Sequence, residues 1–315
     1  MNILFLGTPE FAAPSLRKIV ESGHNVVAVV TAPDRPAGRG RAVKCSDVKI
    51  AAQELGLKIL QPEKLRDEEF LAELRGLDID LGIVIAFRML PEVVWSMPRF
   101  GTFNLHASLL PEYRGAAPIN HAIINGDKVS GVTTFMLNAE IDKGAIIGQV
   151  EEVIHPCDNV GTLYERLMNI GSDLVIESIK KIESGEVKPI EQSEYDESKL
   201  RPAPKIFKDN CLIDWSMSGE RVVNLVRGLS PYPAAWTNLI SEGEQTTAKI
   251  FEAEFTPCDS NIEVGTIQSD NKKSLRVKCS DGWVEIKSIQ VAGKKRLATG
   301  ELLLGMRNIT NYKTV

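Results

Sequence analysis

The feature that most constrains the fold is an alternation of short apolar runs and helix-like stretches over residues 2–106. Residues 24–31 (HNVVAVVT) and 81–86 (LGIVIA) are continuous and rich in β-branched residues, which is typical of strands buried on both faces. Residues 2–6 and 101–106 predict further strands, and the segments between the strands predict helices. This rhythm predicts a doubly wound, mainly parallel α/β sheet. Ligands of such sheets bind at the carboxyl ends of the strands, where the strand order reverses.

The rest of the chain follows a different pattern. From residue 235 onward, short β-rich runs are separated by Gly and Asp turns, which predicts a smaller β-barrel resembling an OB fold. Residues 190–208 are polar and contain two closely spaced prolines, as expected of a linker. We therefore predict an α/β domain over residues 1–189, a linker over 190–208 and a barrel domain over 209–315.

Several classes of function lack their sequence signals. The first turn, Gly7-Thr8-Pro9, holds one of the three glycines of a dinucleotide fingerprint, so a nicotinamide cofactor is not expected. No apolar run approaches the roughly 18–20 residues of a membrane span. The scattered cysteines form no C-x-x-C pair, so neither a metal site nor a disulfide framework is expected and a reducing cytoplasm fits. They are Cys45, Cys157, Cys211, Cys258 and Cys279.

Charge is unevenly distributed along the chain, whose net charge is −5. Residues 1–204 carry 22 basic and 29 acidic residues, whereas residues 205–315 carry 15 and 13. This asymmetry permits a polyanionic partner at the C-terminal end without requiring one. Some basic residues there could track a nucleic-acid backbone, although each lysine taken singly also fits a purely solubilising role; they are Lys272, Lys273, Lys278, Lys294, Lys295 and Arg296.

Polar side chains are concentrated at the end of the strand predicted over residues 101–106. Asn104 and His106 are two residues apart, so they share one face of that strand. Taken alone, this pair also fits a hydrogen-bonded polar edge with a structural histidine. Asp142 follows in a loop between two further predicted strands, and its carboxylate would face the same crevice.

Together these three groups suit the transfer of an acyl group to an amine. Asn104 would donate its amide N–H to the carbonyl oxygen as negative charge develops there; one such donor is typically worth ~10²–10³-fold in rate. His106 would add a second donor or shuttle a proton. Asp142 would orient the imidazole and accept a proton from the attacking amine. No side chain has to act as the nucleophile, because a free amine attacks the donor directly.

The run NLHASLLPEYRGAAPI, with Asp142 at the expected spacing, resembles the methionyl-tRNA formyltransferase branch of the folate-dependent formyltransferases. The likeness continues in ILFLGTPEFAAPSL near the start and in IDWSMSGERVVNLVRGLSPYPAAW near the end. It implies a Rossmann-like catalytic domain and a C-terminal tRNA-binding barrel. It also implies 10-formyltetrahydrofolate as the formyl donor and initiator methionyl-tRNA as the acceptor. By this resemblance, Asn104, His106 and Asp142 are catalytic.

The same resemblance implies a tetrahydrofolate site on two segments. One segment follows the candidate catalytic strand and comprises Ser108, Leu109, Leu110 and Pro111. The other provides backbone for the pterin pocket and comprises Ala86, Phe87, Arg88, Met89 and Leu90. Relatives commonly carry an Ala-Tyr-Gly-type run at the second segment. Because this chain has Arg88 there, the resemblance does not predict where that side chain points.

The assignment to the tRNA branch rests on residues 33–44 (PDRPAGRGRAVK). Set against Asp34, the basic residues of this segment give a local charge of +3; they are Arg35, Arg39, Arg41 and Lys44. Two prolines and two glycines are expected to keep it from forming helix or strand. Such a loop is commonly a solvated excursion, but after the second strand of this fold it resembles the family's insertion against the tRNA acceptor stem. Arg39 is the best candidate for a direct contact, and Arg35 and Arg41 are expected to bind phosphates.

Two other functions remain open from the sequence. An enzyme that formylates an amino sugar nucleotide would use the same trio and leave the arginine-rich segment without a role. A non-catalytic RNA-binding protein with a relic site would bind tRNA without any dependence on folate, although the intact trio argues against it. Neither a membrane nor an obligate protein partner is implied.

Overall fold

The computed structural model describes residues 1–37, 42–192, 195–241, 243–306 and 308–314. The strands are β1 (Asn2–Gly7), β2 (Asn25–Val30), β3 (Arg35–Ala37), β4 (Ala42–Lys44), β5 (Ile59–Leu60), β6 (Leu81–Ile85), β7 (Thr102–His106), β8 (Val129–Met136), β9 (Ile146–Val153), β10 (Ala235–Ser241), β11 (Glu244–Pro257), β12 (Ile267–Ser269), β13 (Leu275–Cys279), β14 (Gly282–Val291), β15 (Leu297–Ala298) and β16 (Lys313–Thr314). The helices are α1 (Ala13–Glu21), α2 (Asp47–Glu54), α3 (Glu68–Arg75), α4 (Glu92–Trp95), α5 (Pro118–Ile124), α6 (Val160–Ser184), α7 (Gly219–Leu229) and α8 (Thr299–Gly305). Across the described residues, no helix combines the length and apolar character that crossing a membrane requires.

Contacts divide the chain into two compact units. The first comprises Met1–Gly115, Ser130–Val153 and Tyr164–Pro202. The second comprises Ala116–Val129, Ile154–Leu163 and Ala203–Val315. These units interleave along the chain and do not test the sequential boundaries 1–189, 190–208 and 209–315, which stay a prediction.

The first unit is built on a seven-stranded sheet in the order β5-β2-β1-β6-β7-β8-β9. β1 pairs in parallel with β2 and with β6, β2 with β5, and β6 with β7. β8 runs antiparallel to β7. The predicted mainly parallel, Rossmann-like sheet is therefore confirmed. Because β1 has β2 on one side and β6 on the other, the strand order reverses beside it, and β6 and β7 end at the same edge as β1.

Burial on both faces explains why the strands of this sheet read as continuous apolar runs. Leu4 and Leu6 of β1 pack in one cluster with Phe70 of α3. Ile3 and Phe5, which point to the opposite face, are also fully buried. Because both faces are covered, polar residues do not alternate with apolar ones along these strands. The buried central strands also fix the positions of the residues at their carboxyl ends.

The arginine-rich segment begins with a short hairpin. β3 and β4 pair antiparallel, with Arg35 opposite Lys44 and Ala37 opposite Ala42. The expectation that residues 33–44 form no strand is therefore wrong. Both strands of a two-stranded ribbon are edges, and an edge strand tolerates a proline because its nitrogen needs no ladder partner.

Contacts with α2 and with the residue after β5 hold the start of this hairpin in place. Asp34 forms an ion pair with Lys49 of α2 and accepts a hydrogen bond from the Gln61 amide at 2.9 Å. The hydrogen bond from the Lys49 ammonium, and after it the one from Gln61, lowers the pKa of the Asp34 carboxyl. Asp34 is therefore engaged with its own fold rather than with its arginine neighbours.

The second unit contains a nearly closed antiparallel barrel. Its strand order is β12-β13-β14-β11-β10-β16, and β15 pairs with β14. A bridge between Thr266 and Lys313 joins the two ends of that order. The interior includes fully buried Ile250 from β11 and Ile289 from β14. The predicted C-terminal barrel is confirmed.

One basic residue predicted to face nucleic acid lies inside this unit. Lys278 is 2% exposed, and its ammonium donates a hydrogen bond to the carbonyl oxygen of Cys279 at 2.8 Å. The prediction that Lys278 tracks a nucleic-acid backbone is wrong, because its side chain is buried. Alternation places Lys278 on the face of β13 that also carries exposed Arg276, opposite the core residues Leu275 and Val277, so its burial comes from packing on that outer face. Lys272 and Lys273, in the preceding turn, are exposed.

Gly265 is required where the barrel closes. Its φ is +83°, and an added Cβ would lie 2.4 Å from the carbonyl oxygen of Thr314. Gly265→Ala should lower the free energy of unfolding of the second unit by about 2–4 kcal/mol, from left-handed strain plus the clash. The measurement is denaturant unfolding followed by tryptophan fluorescence, since this unit holds Trp215, Trp236 and Trp283.

The matched control is Gly293→Ala. Gly293 has a φ of +77° with nothing within 4 Å of the added Cβ, so it carries the backbone strain alone and should cost about 1–2 kcal/mol. Equal losses for the two variants would contradict a tight closure at Gly265.

Candidate active site

The orientation of His106 is set by a backbone carbonyl. His106 is the last residue of β7 and is 7% exposed. Its Nε2 lies 2.9 Å from the carbonyl oxygen of Tyr113. A carbonyl oxygen only accepts, so Nε2 carries a hydrogen and donates it. In the neutral imidazole, Nδ1 is therefore the atom with the free lone pair.

The carboxylate of Asp142 faces this second nitrogen. Its Oδ2 lies 4.0 Å from Nδ1 of His106 and accepts the backbone N–H of Gly115 at 2.9 Å. A separation of 4.0 Å is too long for a direct hydrogen bond but brings the carboxylate within ion-pair range of a protonated ring. The hydrogen bond that fixes the ring is the one that Nε2–H donates to the carbonyl oxygen of Tyr113, and the orienting role expected of Asp142 stays a prediction.

The loop that carries Asp142 has a constrained backbone. Asp142 itself has a φ of 54°, in the left-handed region. Two residues later, an added Cβ at Gly144 would lie 1.6 Å from the carbonyl oxygen of Met136. Only glycine fits at such an approach, so the loop passes directly against the end of β8. This close passage returns the chain from Asp142 into β9.

Asn104 lies two residues before His106 on the same strand. Its neighbours in the sheet are Val84 of β6 and Phe135 of β8. Asn104 is half-buried, whereas Phe103 on the opposite face is fully buried. Strand alternation gives Asn104 and His106 a common face, as predicted from their spacing. Asn104, His106 and Asp142 are called the candidate trio below.

The turn after β7 is held together from within. Ser108 is 1% exposed, and its hydroxyl donates to the carbonyl oxygen of Glu112 at 2.7 Å. Leu110 is 3% exposed, Pro111 is buried, and the peptide bond between them is cis. Leu109 is half-buried. In this structure the buried members of the predicted folate segment shape the turn rather than present side-chain atoms to solvent.

Two residues that the sequence did not single out hold this turn in place. Thr133 of β8, opposite His106 in the register, donates its hydroxyl to the carbonyl oxygen of Ser108 at 2.6 Å and accepts the N–H of Leu110 at 3.1 Å. The amide of Gln149 donates to the carbonyl oxygen of Leu110 at 2.8 Å. A polar residue fully buried in a sheet needs partners, and the TT pair in GVTTFML was the available signal.

The other predicted folate segment, Ala86 to Leu90, follows β6. Ala86 has a φ of 47° and is exposed, so the chain turns sharply at the carboxyl edge of the sheet. Phe87 and Leu90 are partly buried, and Met89 is 75% exposed. This exposed turn leaves backbone groups accessible at the end of β6, the strand that pairs with β7.

The direction of Arg88 is given by the structure. Its guanidinium donates to the carbonyl oxygens of Pro62 and Glu63, the latter at 2.7 Å. Burial lowers the pKa of Arg88, and the nearby charge of Arg35 adds to that lowering. The Arg88 guanidinium thus binds the loop after β5, and Arg35 lies close enough for its charge to affect the pKa of Arg88.

A cleft of about 570 Å³ lies beside this loop and is lined by residues 59–64 and by α3. It includes no member of the candidate trio. Among the described residues, no group of three or more His, Cys, Asp or Glu side chains is arranged to hold a metal ion. Two predicted tRNA-contacting residues, Arg39 and Arg41, lie outside the described residues; Arg35 is exposed and Lys44 belongs to β4.

Comparison with known proteins identifies the family. Residues 1–179 match the formyl transferase domain, and residues 205–307 match the formyl transferase C-terminal domain. The chain is 53% identical over 315 residues to the methionyl-tRNA formyltransferase of Bacteroides thetaiotaomicron, covering 99% of this chain and 98% of the relative. It is 50% identical over 306 residues to that of Flavobacterium johnsoniae, covering 97% and 96%. The chain therefore belongs to the formyl transferase family, in its methionyl-tRNA formyltransferase branch, as the motifs predicted.

Solved structures share the fold at lower identity. A sugar 3N-formyl transferase, WlaRD, crystallised with dTDP and 5-N-formyl-THF, superposes with a TM-score of 0.66 at 20% identity, over 94% of this chain and 99% of that one. HypX from Aquifex aeolicus, in complex with tetrahydrofolic acid, gives a TM-score of 0.61 at 20% identity, over 96% and 47%. At this identity the likeness supports the fold alone.

The hydrogen bond to Tyr113 predicts the tautomer of His106. At a pH where the ring is neutral, it should be protonated on Nε2 and bare on Nδ1. Long-range ¹H–¹⁵N NMR correlations distinguish the two tautomers, and with four histidines in the chain a His106→Gln variant assigns the signal. An Nδ1-protonated ring would contradict the geometry described here.

Proposed function

We propose that this protein transfers the formyl group of 10-formyltetrahydrofolate to the α-amino group of methionine on initiator methionyl-tRNA. The observation that carries the proposal is the 53% identity to a methionyl-tRNA formyltransferase over 99% of the chain. The geometry of the site supports it independently, because an amide, an imidazole and a carboxylate meet at the carboxyl edge of the sheet. We assign the candidate trio as the catalytic residues and propose that the reaction needs no metal. We also propose that the protein works in the cytoplasm.

In the proposed reaction the methionyl amine attacks the formyl carbon, forming a C–N bond and driving the carbonyl electrons onto oxygen. The Asn104 amide donates a hydrogen bond to that oxygen, where charge develops. Collapse of the intermediate breaks the bond between the formyl carbon and N10 of the folate. The proton lost by the amine is accepted on Asp142 and returned to N10, so protons balance over the cycle.

His106 acts in this scheme through Nδ1. Its Nε2–H is engaged by Tyr113. Nδ1 faces Asp142 at 4.0 Å, so a proton carried on Nδ1 lies on the side of the ring that the carboxylate faces. The imidazole can therefore donate to the oxyanion from Nδ1 or pass a proton towards Asp142 without changing its orientation.

The two folate segments and the arginine-rich segment complete the proposal. The turns of residues 86–90 and 108–111 flank β6 and β7 at the carboxyl edge, where they would hold the tetrahydrofolate. Arg35, Arg39, Arg41 and Lys44 would contact the tRNA acceptor stem. Asp34 is engaged by Lys49, so it does little to offset the charge these residues offer to phosphates.

Asp142→Asn tests the proton-accepting role. An asparagine keeps a side-chain oxygen for the Gly115 N–H, so the loop should stay in place, while the base is lost. We expect kcat for formylation of methionyl-tRNA to fall by about 10²–10⁴-fold with the thermal unfolding temperature unchanged. A radiolabelled formyl-transfer assay measures this effect.

The control is Asp214→Asn, the same change at a carboxylate that also accepts a backbone N–H, from Ser216 at 2.9 Å. It should leave turnover unchanged. Offering an amino sugar nucleotide to the wild type in the same assay tests the alternative acceptor. Formylation of the sugar at a rate equal to that of methionyl-tRNA would move the assignment to a sugar formyltransferase.

Arg39→Ala tests the acceptor-stem contact. Removing one phosphate-binding cation should raise KM for methionyl-tRNA, reduce the dependence of log(kcat/KM) on log[salt] by about one unit and leave KM for the folate donor unchanged. Arg75→Ala, at an exposed arginine of α3, is the control. Unchanged tRNA kinetics in the Arg39 variant would refute a role for this segment in tRNA binding.

A further inference from the structure

A buried glutamine from the predicted linker reaches the loop of Asp142. Gln192 is 3% exposed. Its side-chain amide donates to the carbonyl oxygen of Asp142 at 3.1 Å and to that of Gly144 at 2.7 Å. Both carbonyl groups belong to the tight passage between β8 and β9. Gln192 therefore fixes the backbone from which the Asp142 carboxylate projects.

The oxygen of the same side chain binds the neighbouring loop. It accepts two hydrogen bonds from Arg114, from Nε at 3.2 Å and from a terminal nitrogen at 2.8 Å. Arg114 immediately precedes Gly115, whose N–H binds the Asp142 carboxylate. One buried side chain thus joins the two loops on either side of the contact that holds that carboxylate.

Further contacts from the following residues strengthen this connection. Glu197 forms ion pairs with Arg114 at 3.3 Å and with Lys143, next to Asp142, at 2.6 Å. The hydrogen bond from the Lys143 ammonium lowers the pKa of the Glu197 carboxyl. Gln192 and residues 195–201 are called the strap below.

The far end of the strap reaches the partner of His106. The N–H of Tyr113 donates to the carbonyl oxygen of Arg201 at 2.8 Å. The Arg201 guanidinium lies 4.7 Å from the centroid of the Tyr113 ring, a cation–π distance. Tyr113 has a φ of 60°, a conformation that neighbouring contacts must hold. Its carbonyl oxygen is the acceptor that orients the imidazole.

We propose that the strap is a positioning element and that Gln192 is its central residue, holding the Asp142 carboxylate opposite Nδ1 of His106. This inference rests on the formyl transfer proposed above. Gln192 touches no reacting atom in this role; it acts through Asp142. Misplacement of a catalytic group by about 1 Å is enough to cost ~10²-fold in rate, so a residue with this role should affect turnover more than binding.

The test compares Gln192→Leu with Gln192→Glu. Leucine removes every polar contact of the side chain. Glutamate also removes both N–H donors to the loop carbonyls. Because it keeps an oxygen for Arg114, it should preserve the fold better than leucine does. In both variants kcat should fall about 10- to 100-fold, with KM for each substrate within about threefold of wild type. Hydrogen–deuterium exchange at the Gly115 N–H should accelerate.

A double-mutant cycle separates positioning from general damage. In an Asp142→Asn background, Gln192→Leu should lower single-turnover rates by less than about threefold, because the group it positions is gone. Equal losses in the two backgrounds would overturn the proposal, as would unchanged kcat in both Gln192 variants. Gln268→Leu, which breaks an Arg–Gln pair of like geometry with Arg276 in the second unit, should leave kcat unchanged.

Failure of the strap and failure of the proposed function give different results. A wild type inactive with methionyl-tRNA refutes the function, and Gly115 exchange still reports whether Gln192 holds the loop. If the wild type is active and neither Gln192 variant exchanges its Gly115 N–H faster than the wild type does, the strap alone is refuted.

Discussion

The candidate site depends on two hydrogen bonds made by backbone groups of one loop. The carbonyl oxygen of Tyr113 accepts a hydrogen bond from Nε2–H of His106, and the N–H of Gly115, two residues later, donates to the carboxylate of Asp142. One bond fixes the ring and the other fixes the carboxylate, so a short piece of chain sets the separation of the two titratable groups. Placing such groups before substrate arrives is what positional catalysis requires, because no reorganisation is then needed in the transition state.

The elements that the sequence predicted well are those governed by local pattern. Buried strands such as β2 and β6 read as unbroken β-branched runs, and parallel pairing follows from the helices between them. The common face of Asn104 and His106 follows from strand alternation alone. The family followed from the resemblance of the run at residues 104–119 to the folate-dependent formyltransferases.

What the sequence did not predict depends on contacts between distant residues. Gln192 lies in a polar stretch that resembles a linker, and nothing local marks it as buried against residues about 50 positions earlier. The burial of Lys278 and the pairing of β3 with β4 across a proline were missed for a related reason. Composition suggested solvent in each case, whereas register and tertiary packing determined the outcome.

The central claim is that Asn104, His106 and Asp142 surround one formyl carbon. The most direct measurement is a crystal structure with a non-transferring 10-formyl folate analogue. The formyl oxygen should lie about 3 Å from the Asn104 amide nitrogen, and the carbon should lie on the Nδ1 side of His106. A formyl group bound instead in the cleft of residues 59–64, with the candidate trio facing solvent, would contradict the account.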